Sequence, residues 1–354
     1  MNWVPNKSID KEKVNTYLQE SIDTNQFTNG GPVVSKLERT LRDLLQIDSS
    51  KSIVCVANGT VALWAAAVAI EMQAHHSHLR YATQSFTFPA SAQGPLSKAS
   101  ILDIDSDCGP DLSFLQRYPD TIDCLIVTNV FGNVVNIAKY EEWAKLYSKY
   151  IIYDNAATPF TSFNGRNSCN YGTAATLSFH HTKPIGFGEG GAIIIDSIYE
   201  KTLRRIINFG IDNSVVKPLN WSRKGGNYKM SDIQAAYILQ YILKIPNIKQ
   251  HHQELYSYFA DCMDSVKGIR LFPNWSDEIP FVSCLCILSD KSDSIIQDLL
   301  KENIFCRKYY NPLSLTPNAI EMYSKIVCIS LTVDMDKEDI NTIVSILQNH
   351  GEST

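Results

Sequence analysis

The residue best suited to covalent chemistry is Lys183, in a glycine-rich segment that runs directly into a predicted strand at 192–195. Because Pro184 follows it, Lys183 is biased away from helical geometry toward an extended or turn conformation. Glycines at 186, 188, 190 and 191 let the backbone turn tightly and approach a neighbour closely. A lysine presented on such a loop suits a nucleophilic amine, although an exposed loop lysine is the ordinary alternative.

Two further polar features follow predicted strands. Asn58-Gly59-Thr60 lies between a strand at 53–56 and a helix at 61–72, where backbone N–H groups and the positive end of the helix dipole can hold a phosphate. Asp154 directly follows a strand at 151–153, so it is expected in the crevice where ligands of open α/β sheets bind. The plain alternatives are an N-cap with a turn glycine and a capping aspartate.

A lysine, an aspartate and a phosphate cradle at three strand ends together form the set that pyridoxal phosphate requires. The lysine amine binds the cofactor aldehyde, the carboxylate keeps the pyridine nitrogen protonated, and the helix N-terminus holds the phosphate. The combination is more specific than any of its members. The sequence therefore predicts a pyridoxal-phosphate enzyme with Lys183 and Asp154 as its catalytic residues.

Alternating apolar runs indicate the elements that must position these groups. Predicted strands at 53–56, 101–104, 124–127, 151–153 and 192–195 alternate with helical stretches, as expected of a mostly parallel sheet with helices on both faces. A helix at 231–245 is expected to stop at Pro246. We therefore expect an α/β fold with a large cofactor-binding domain at 1–246 and a smaller α+β domain at 247–354.

Composition limits the classes of partner. The chain has 354 residues, 44% of them hydrophobic, and a formal net charge of −5, a balance that argues against nucleic acid. The longest apolar run is about half the length that a membrane span needs, and the polar first residues resemble no targeting segment, so a cytoplasmic protein is the default expectation. Nine cysteines without a CxxC pair predict reduced thiols and no metal site.

The segment around Lys183 also carries a family resemblance. Ser178-Phe-His-x-Thr-Lys183, followed by Gly188-Glu-Gly-Gly191, resembles the motif of the DegT/DnrJ/EryC1/StrS sugar aminotransferases. The likeness extends from the first helices into the C-terminal domain. It implies the aspartate aminotransferase architecture, which is fold type I of the pyridoxal-phosphate enzymes, and a homodimer with shared active sites.

The resemblance implies roles for individual residues. Lys183 matches the lysine that binds the cofactor, and Asp154, 29 positions earlier, matches the aspartate that pairs with the pyridine nitrogen. Ala157 stands where the family usually has Gln or His, and Pro184 stands where family members often have Asn. Neither departure removes a group that the cofactor chemistry needs. By the same resemblance, Gly59 and Thr60 match the phosphate-binding turn, and Ser178 matches a further phosphate ligand. Phe88 matches the aromatic residue that stacks on the ring, and Asn227 matches an asparagine donated by the neighbouring subunit.

The motif also bears on the substrate. Ser-Phe-His-x-x-Lys with Gly-Glu-Gly-Gly resembles family members that act at C4 of the sugar, which implies transfer of the amino group of L-glutamate to a nucleotide-linked 4-keto-6-deoxyhexose. The product would be a viosamine-type 4-amino-4,6-dideoxy sugar nucleotide. Two alternatives stay open, a C3 keto-sugar aminotransferase of the same family and a non-catalytic regulator that binds cofactor or aminosugar. Candidate substrate contacts are His180, Arg223, Lys224, Lys229, Tyr309 and Tyr310.

Overall fold

The computed structural model describes residues 4, 6–74, 78–212, 220–273 and 279–351. In chain order, its first part contains α1 (Lys11–Thr24), α2 (Pro32–Leu45), β1 (Lys51–Val56), α3 (Gly59–Gln73), β2 (Tyr81–Gln84), β3 (Ser100–Leu102), α4 (Leu112–Arg117), β4 (Cys124–Thr128), α5 (Ile137–Tyr147), β5 (Tyr150–Asp154), β6 (Ser162–Phe163), β7 (Arg166–Asn167), β8 (Ala174–Ser178), β9 (Gly191–Asp196), α6 (Glu200–Ile207) and α7 (Asp232–Ile242). Its second part contains α8 (Ile245–Met263), β10 (Arg270–Leu271), β11 (Cys284–Leu288), α9 (Ser292–Lys301), β12 (Cys306–Arg307), α10 (Pro317–Lys325), β13 (Ile326–Ser330) and α11 (Lys337–His350). Within the described ranges, no helix combines the length and the apolar character needed to cross a membrane.

The first part is built on a seven-stranded, mostly parallel sheet, as the alternating pattern predicts. The strand order is β1-β9-β8-β5-β4-β2-β3, and β9 runs antiparallel to both of its neighbours while the other pairs are parallel. Successive residues of β5 face opposite sides, so Ile151 packs into the core beneath α2, α5 and α7 whereas Ile152 packs into the core beneath α3 and α6. Helices thus cover both faces of the sheet.

Two strands of this sheet, β2 and β8, have no counterpart among the five predicted strands. β2, which lies one strand in from the edge of the sheet, contains Thr83 and Gln84, both fully buried. The Gln84 amide donates to the carbonyls of Thr128 (2.7 Å) and Cys108 (3.0 Å), and its oxygen accepts from the Thr128 N–H (3.0 Å). These hydrogen bonds offset the cost of burying the amide. A strand stabilised in this way does not appear as an apolar run in the sequence.

The chain passes to the second part between α7 and α8. The single helix predicted at 231–245 is two elements, because α7 ends at Ile242 and Pro246 lies in the first turn of α8. A proline is tolerated there, since the first N–H groups of a helix have no partner within it. Pro246 therefore begins a helix instead of ending one. The second part holds an antiparallel sheet of order β10-β11-β13-β12, and a domain boundary at 246 stays a prediction.

A buried carboxylate, Asp232 at the start of α7, joins three helices. It is fully buried and accepts hydrogen bonds from the backbone N–H groups of Val33 (3.2 Å) and Val34 (3.0 Å) at the start of α2, and from the Ser21 hydroxyl of α1 (2.5 Å). A Cβ at Gly31 would overlap this carboxylate. The negative charge at the N-terminus of α2 is also favourable toward the helix dipole.

Replacing Asp232 with alanine is expected to lower the free energy of unfolding by about 2–5 kcal/mol, because the cap of α2 is lost and buried N–H groups lose their acceptor. Urea unfolding followed by circular dichroism measures the change. Asp261→Ala, at an exposed position of α8, is the control and should stay within about 0.5 kcal/mol of the wild type. Equal unfolding free energies for the two variants would contradict the role given to Asp232.

Candidate active site

Lys183 lies on a tight turn in the segment between β8 and β9. The Lys183 N–H donates to the carbonyl of His180 (2.8 Å), and the Gly186 N–H donates to the carbonyl of Lys183 (3.1 Å). A Cβ at Gly186 would overlap the carbonyl oxygens of Phe179 and His180, so only glycine lets the chain fold back this closely. The turn places the lysine at the carboxyl edge of the sheet.

Asp154, the last residue of β5, shares this site with Lys183. Burial raises the pKa of the Asp154 carboxyl, and the charge of the Lys183 amine acts against that shift. Burial lowers the pKa of Lys183, and the Asp154 carboxylate acts against that shift in turn. The carboxylate also accepts a hydrogen bond from the Ala156 N–H (3.1 Å). The two residues that the sequence predicts as catalytic are therefore close enough to interact.

The predicted phosphate cradle is assembled where α3 meets β8. Asn58 caps α3 by accepting from the Val61 N–H (3.0 Å), while the first N–H groups of a helix, here those of Gly59 and Thr60, have no partner within it. A Cβ at Gly59 would come within 2.7 Å of the Ser178 Cβ, so the helix start and the serine are in direct contact. Donor groups and a helix dipole at this contact fit a phosphate group.

The second part of the chain contributes Tyr310 to the site. Its ring stacks on Phe131 at 5.6 Å and meets the edge of Phe86 at 6.0 Å. Burial, followed by the Asp154 carboxylate, raises the pKa of the Tyr310 hydroxyl well above its usual value. Tyr310, which sequence analysis assigned to the substrate, therefore lies beside the aspartate. The ring of Tyr309 lies 5.5 Å from that of Tyr310, and its hydroxyl accepts a hydrogen bond from the Arg307 guanidinium (3.2 Å).

Three cysteine thiols form a cluster near Lys183. The sequence alone does not connect them with the site. The Sγ atoms of Cys284 and Cys286 on β11 are 3.5 Å apart, and that of Cys286 is 3.6 Å from the Sγ of Cys328 on β13. Cys284 also interacts electrostatically with Lys183. In the sequence these cysteines stand in apolar runs typical of core strands, so nothing local points to the site.

The remaining predicted cofactor contacts are exposed. Phe88 follows β2 with 53% of its surface accessible, so its ring is open to a stacking partner. Asn227 is also exposed, in agreement with a side chain available to another subunit. Their roles toward the cofactor stay predictions.

The predicted substrate contacts differ in their surroundings. Lys224 pairs with Glu71 (2.5 Å), which lies near the end of α3, roughly 18 Å along the helix axis from Gly59. Lys229 donates to the side chain of Asn208 (2.8 Å). Arg223 is exposed. His180 is also exposed, and its ring nitrogen Nδ1 lies 2.9 Å from the Thr182 hydroxyl. The ion pair with Glu71 holds Lys224 at the end of α3 that is remote from the phosphate cradle of the same chain.

A sequence profile described as the DegT/DnrJ/EryC1/StrS aminotransferase family matches residues 8–348. The chain belongs to the DegT/DnrJ/EryC1/StrS aminotransferase family. It is accordingly an enzyme of the transferase class whose cofactor is pyridoxal phosphate, which confirms both predictions. The phosphate cradle and the Asp154–Lys183 pair of this DegT-family chain fit that cofactor.

Individual relatives agree with the family assignment. The dTDP-4-amino-4,6-dideoxy-D-glucose transaminase of Shigella dysenteriae is 25% identical over 94% of this chain and 94% of the relative. The UDP-2-acetamido-2-deoxy-3-oxo-D-glucuronate aminotransferase of Pseudomonas aeruginosa is 29% identical over 65% of this chain and 63% of the relative. The crystal structure of DesI in the presence of its TDP-sugar product superposes with a TM-score of 0.84 at 20% identity, covering 99% of this chain and 92% of DesI. This structural likeness confirms the predicted fold of the DegT-family chain.

Gly59→Ala is expected to weaken binding of pyridoxal phosphate by at least about tenfold, or ~1.4 kcal/mol, because the added methyl group pushes α3 away from Ser178. Fluorescence titration of the apoenzyme with the cofactor measures the affinity. Gly165→Ala lies in the turn between β6 and β7, where a Cβ meets nothing within 4 Å but φ is +74°; it therefore controls for destabilisation of the fold without a new contact at the cradle. Unchanged cofactor affinity in Gly59→Ala would contradict the cradle.

Proposed function

We propose that this enzyme transfers the amino group of L-glutamate to C4 of a nucleotide-linked 4-keto-6-deoxyhexose. The observation that carries the proposal is the shared, desolvated position of Lys183 and Asp154 at the carboxyl edge of the sheet. An amine and a carboxylate in this arrangement, beside a phosphate cradle, are the groups that amino transfer on pyridoxal phosphate needs.

Each residue has a task in this reaction. Pyridoxal phosphate, when bound, supplies a ring that withdraws electrons from the carbon next to the transferred nitrogen. The N–H groups of Gly59 and Thr60 and the hydroxyl of Ser178 bind its phosphate. Asp154 holds a positive charge on the ring nitrogen, because the ionised carboxylate needs a cationic partner in a desolvated site.

Lys183 moves the proton. Burial lowers the pKa of its amine, so a larger fraction is neutral near pH 7 than for a lysine in water. The neutral Nζ takes the proton from the α-carbon of glutamate as a general base. In the second half of the reaction, the same nitrogen delivers a proton to the sugar carbon that receives the amino group.

The choice of substrate rests on two lines of support. The motif from Ser178 to Gly191 resembles family members that act at C4, and a relative aligned over 94% of the chain is named as a 4-amino-4,6-dideoxyglucose transaminase. The relative named for a 3-oxo sugar aligns over 65% of the chain and keeps transfer at C3 as the second candidate. Arg223, exposed on the loop before α7, is our candidate for binding the sugar diphosphate.

A homodimer with shared active sites belongs to the same proposal. Ile233 and Leu243, at the two ends of α7, are 53% and 57% exposed, and Trp221 on the preceding loop is 52% exposed. Exposed large apolar side chains are candidates for the interface of such a dimer. Because Asn227 lies between Trp221 and α7, a second chain docked here would bring this asparagine toward its partner.

Assays with the two keto isomers of a 6-deoxyhexose nucleotide, with glutamate as donor, test the proposed function. We expect turnover of the 4-keto compound, with the aminosugar identified by mass and NMR, and we expect no product with Lys183→Ala. Turnover of the 3-keto isomer alone would establish the second candidate. A visible absorbance that glutamate leaves unchanged would support the non-catalytic regulator.

Asp154→Asn is expected to lower kcat by about 10²–10³-fold, because the amide keeps the shape of the side chain but not the charge that opposes the ring nitrogen. The KM for the keto-sugar should change little, since Asp154 is assigned to the cofactor. Steady-state kinetics measure both constants, with Asp120→Asn at an exposed position as the matched control. A kcat equal to that of the control would remove Asp154 from the mechanism.

A further inference from the structure

Lys7, in the segment before α1, is bound to the turn that carries Lys183. Its Nζ donates to the backbone carbonyl of Lys183 at 2.7 Å and to that of Gly186 at 2.5 Å. These two carbonyls stand at the start and the end of the turn. One side chain, more than 170 positions away in the sequence, therefore bridges both ends of the turn.

The surroundings of Lys7 are unusual for a lysine. Its Nζ lies 4.5 Å from the centre of the Tyr241 ring on α7, and Tyr241 itself is 3% exposed. Because burial is not offset there by a carboxylate, it lowers the pKa of Lys7 to about 7. An apolar side chain would cover the turn without this cost. Hydrogen bonding to the two carbonyls is what the amine adds.

The backbone on the C-terminal side of Lys7 is itself anchored. Lys244, just after α7, donates to the carbonyl of Ser8 (3.0 Å) and to its hydroxyl (3.1 Å). Asp10 caps α1 by accepting from the N–H groups of Glu12 (3.1 Å) and Lys13 (3.2 Å). The backbone that follows Lys7 is therefore anchored at the end of α7 and at the start of α1, so the Lys7 side chain reaches the turn from an ordered segment.

The turn is also held by contacts of its own. Ile185 is buried in the core, and the His181 N–H donates to the carbonyl of Gly188 (2.8 Å). Gly188 itself is exposed, and a Cβ there would meet nothing within 4 Å. Lys7 adds two hydrogen bonds from outside the turn, and these reach the carbonyls at its start and its end.

We propose that Lys7 is a positioning residue for amino transfer, because it ties the carbonyls of Lys183 and Gly186 to the N-terminal segment and so fixes the base of the Lys183 side chain. It contacts no reacting atom. The proposal rests on the role given to Lys183 in the proposed function. A displacement of about 1 Å at a reacting group can cost on the order of 10²-fold in rate, so loss of this bridge should act on kcat.

Three variants test the proposal. Lys7→Met removes the hydrogen-bond donors and keeps an unbranched chain, whereas Lys7→Arg keeps a charge and donors. Lys11→Met, at an exposed position of α1, is the control. Two readouts are needed: steady-state kinetics of the holoenzyme, and amide hydrogen exchange of the segment 180–190 in the apoenzyme. We expect Lys7→Met to lower kcat by about ten- to a hundredfold with the KM for the keto-sugar nearly unchanged. Amide hydrogen exchange in the segment 180–190 should become faster than in the wild type. Lys7→Arg should recover most of the wild-type kcat and of the wild-type exchange rate, and Lys11→Met should match the wild type in both.

Wild-type kcat and wild-type exchange in Lys7→Met would overturn the proposal, and so would a kcat loss without faster exchange in 180–190. If Lys7→Met does not fold, Lys7→Ala, which also removes the donors, is read by the same two measurements and the same criteria. Lys183→Ala, assayed in parallel, separates this inference from the proposed function. Amino transfer retained in Lys183→Ala would refute the role of Lys183, whereas exchange in the apoenzyme still reports on the Lys7 contact by itself.

Discussion

The structure depends most on the interaction between a carboxylate and an amine that have both been removed from water. Burial drives the pKa values of Asp154 and Lys183 in opposite directions, each toward its neutral form, and the opposite charge of the partner acts against both shifts. Such a pair is costly unless other groups compensate for the lost hydration. In the proposed function, a bound cofactor ring with a protonated nitrogen would compensate the aspartate, and the lysine amine would move the proton.

The sheet is what keeps this pair together. Asp154 ends β5 and pairs in register with Thr176 of β8, two residues before Ser178. Parallel neighbouring strands bring their carboxyl ends to one edge, so Asp154 and Ser178, the predicted phosphate ligand, reach the site on adjacent strands. The contact between Gly59 and Ser178 then sets the start of α3 against the same edge. The site is thus a consequence of strand register and of one close helix–strand contact.

Much of this arrangement is predictable from local patterns, and the exceptions have physical reasons. The strands that end near Asn58 and Asp154 are apolar and give a clear signal, and the motif around Lys183 identifies the family. β2 gives no such signal because hydrogen bonds of Gln84 stabilise it in the core. The sequence predicts that Pro246 ends a helix, because proline disfavours the interior of a helix, yet proline also fits the first turn, where the structure has it.

Contacts between distant segments account for the other omissions. Lys7 meets the Lys183 turn across 176 positions, and Lys224 meets Glu71 across 153. Glu71 lies in a predicted apolar helix, and its neighbours in the sequence do not indicate an ion pair. A pattern of neighbouring residues has no information about such pairs, because they exist only once the sheet and helices have assembled.

The central claim is that the Lys183 amine and the Asp154 carboxylate serve one cofactor. Reduction of the purified holoenzyme with borohydride, followed by proteolysis and mass spectrometry, tests it most directly. The account predicts that the cofactor mass is fixed on the peptide that contains Lys183, and that Lys183→Ala carries none. Fixation on a different lysine, or none in the wild-type enzyme, would contradict the account.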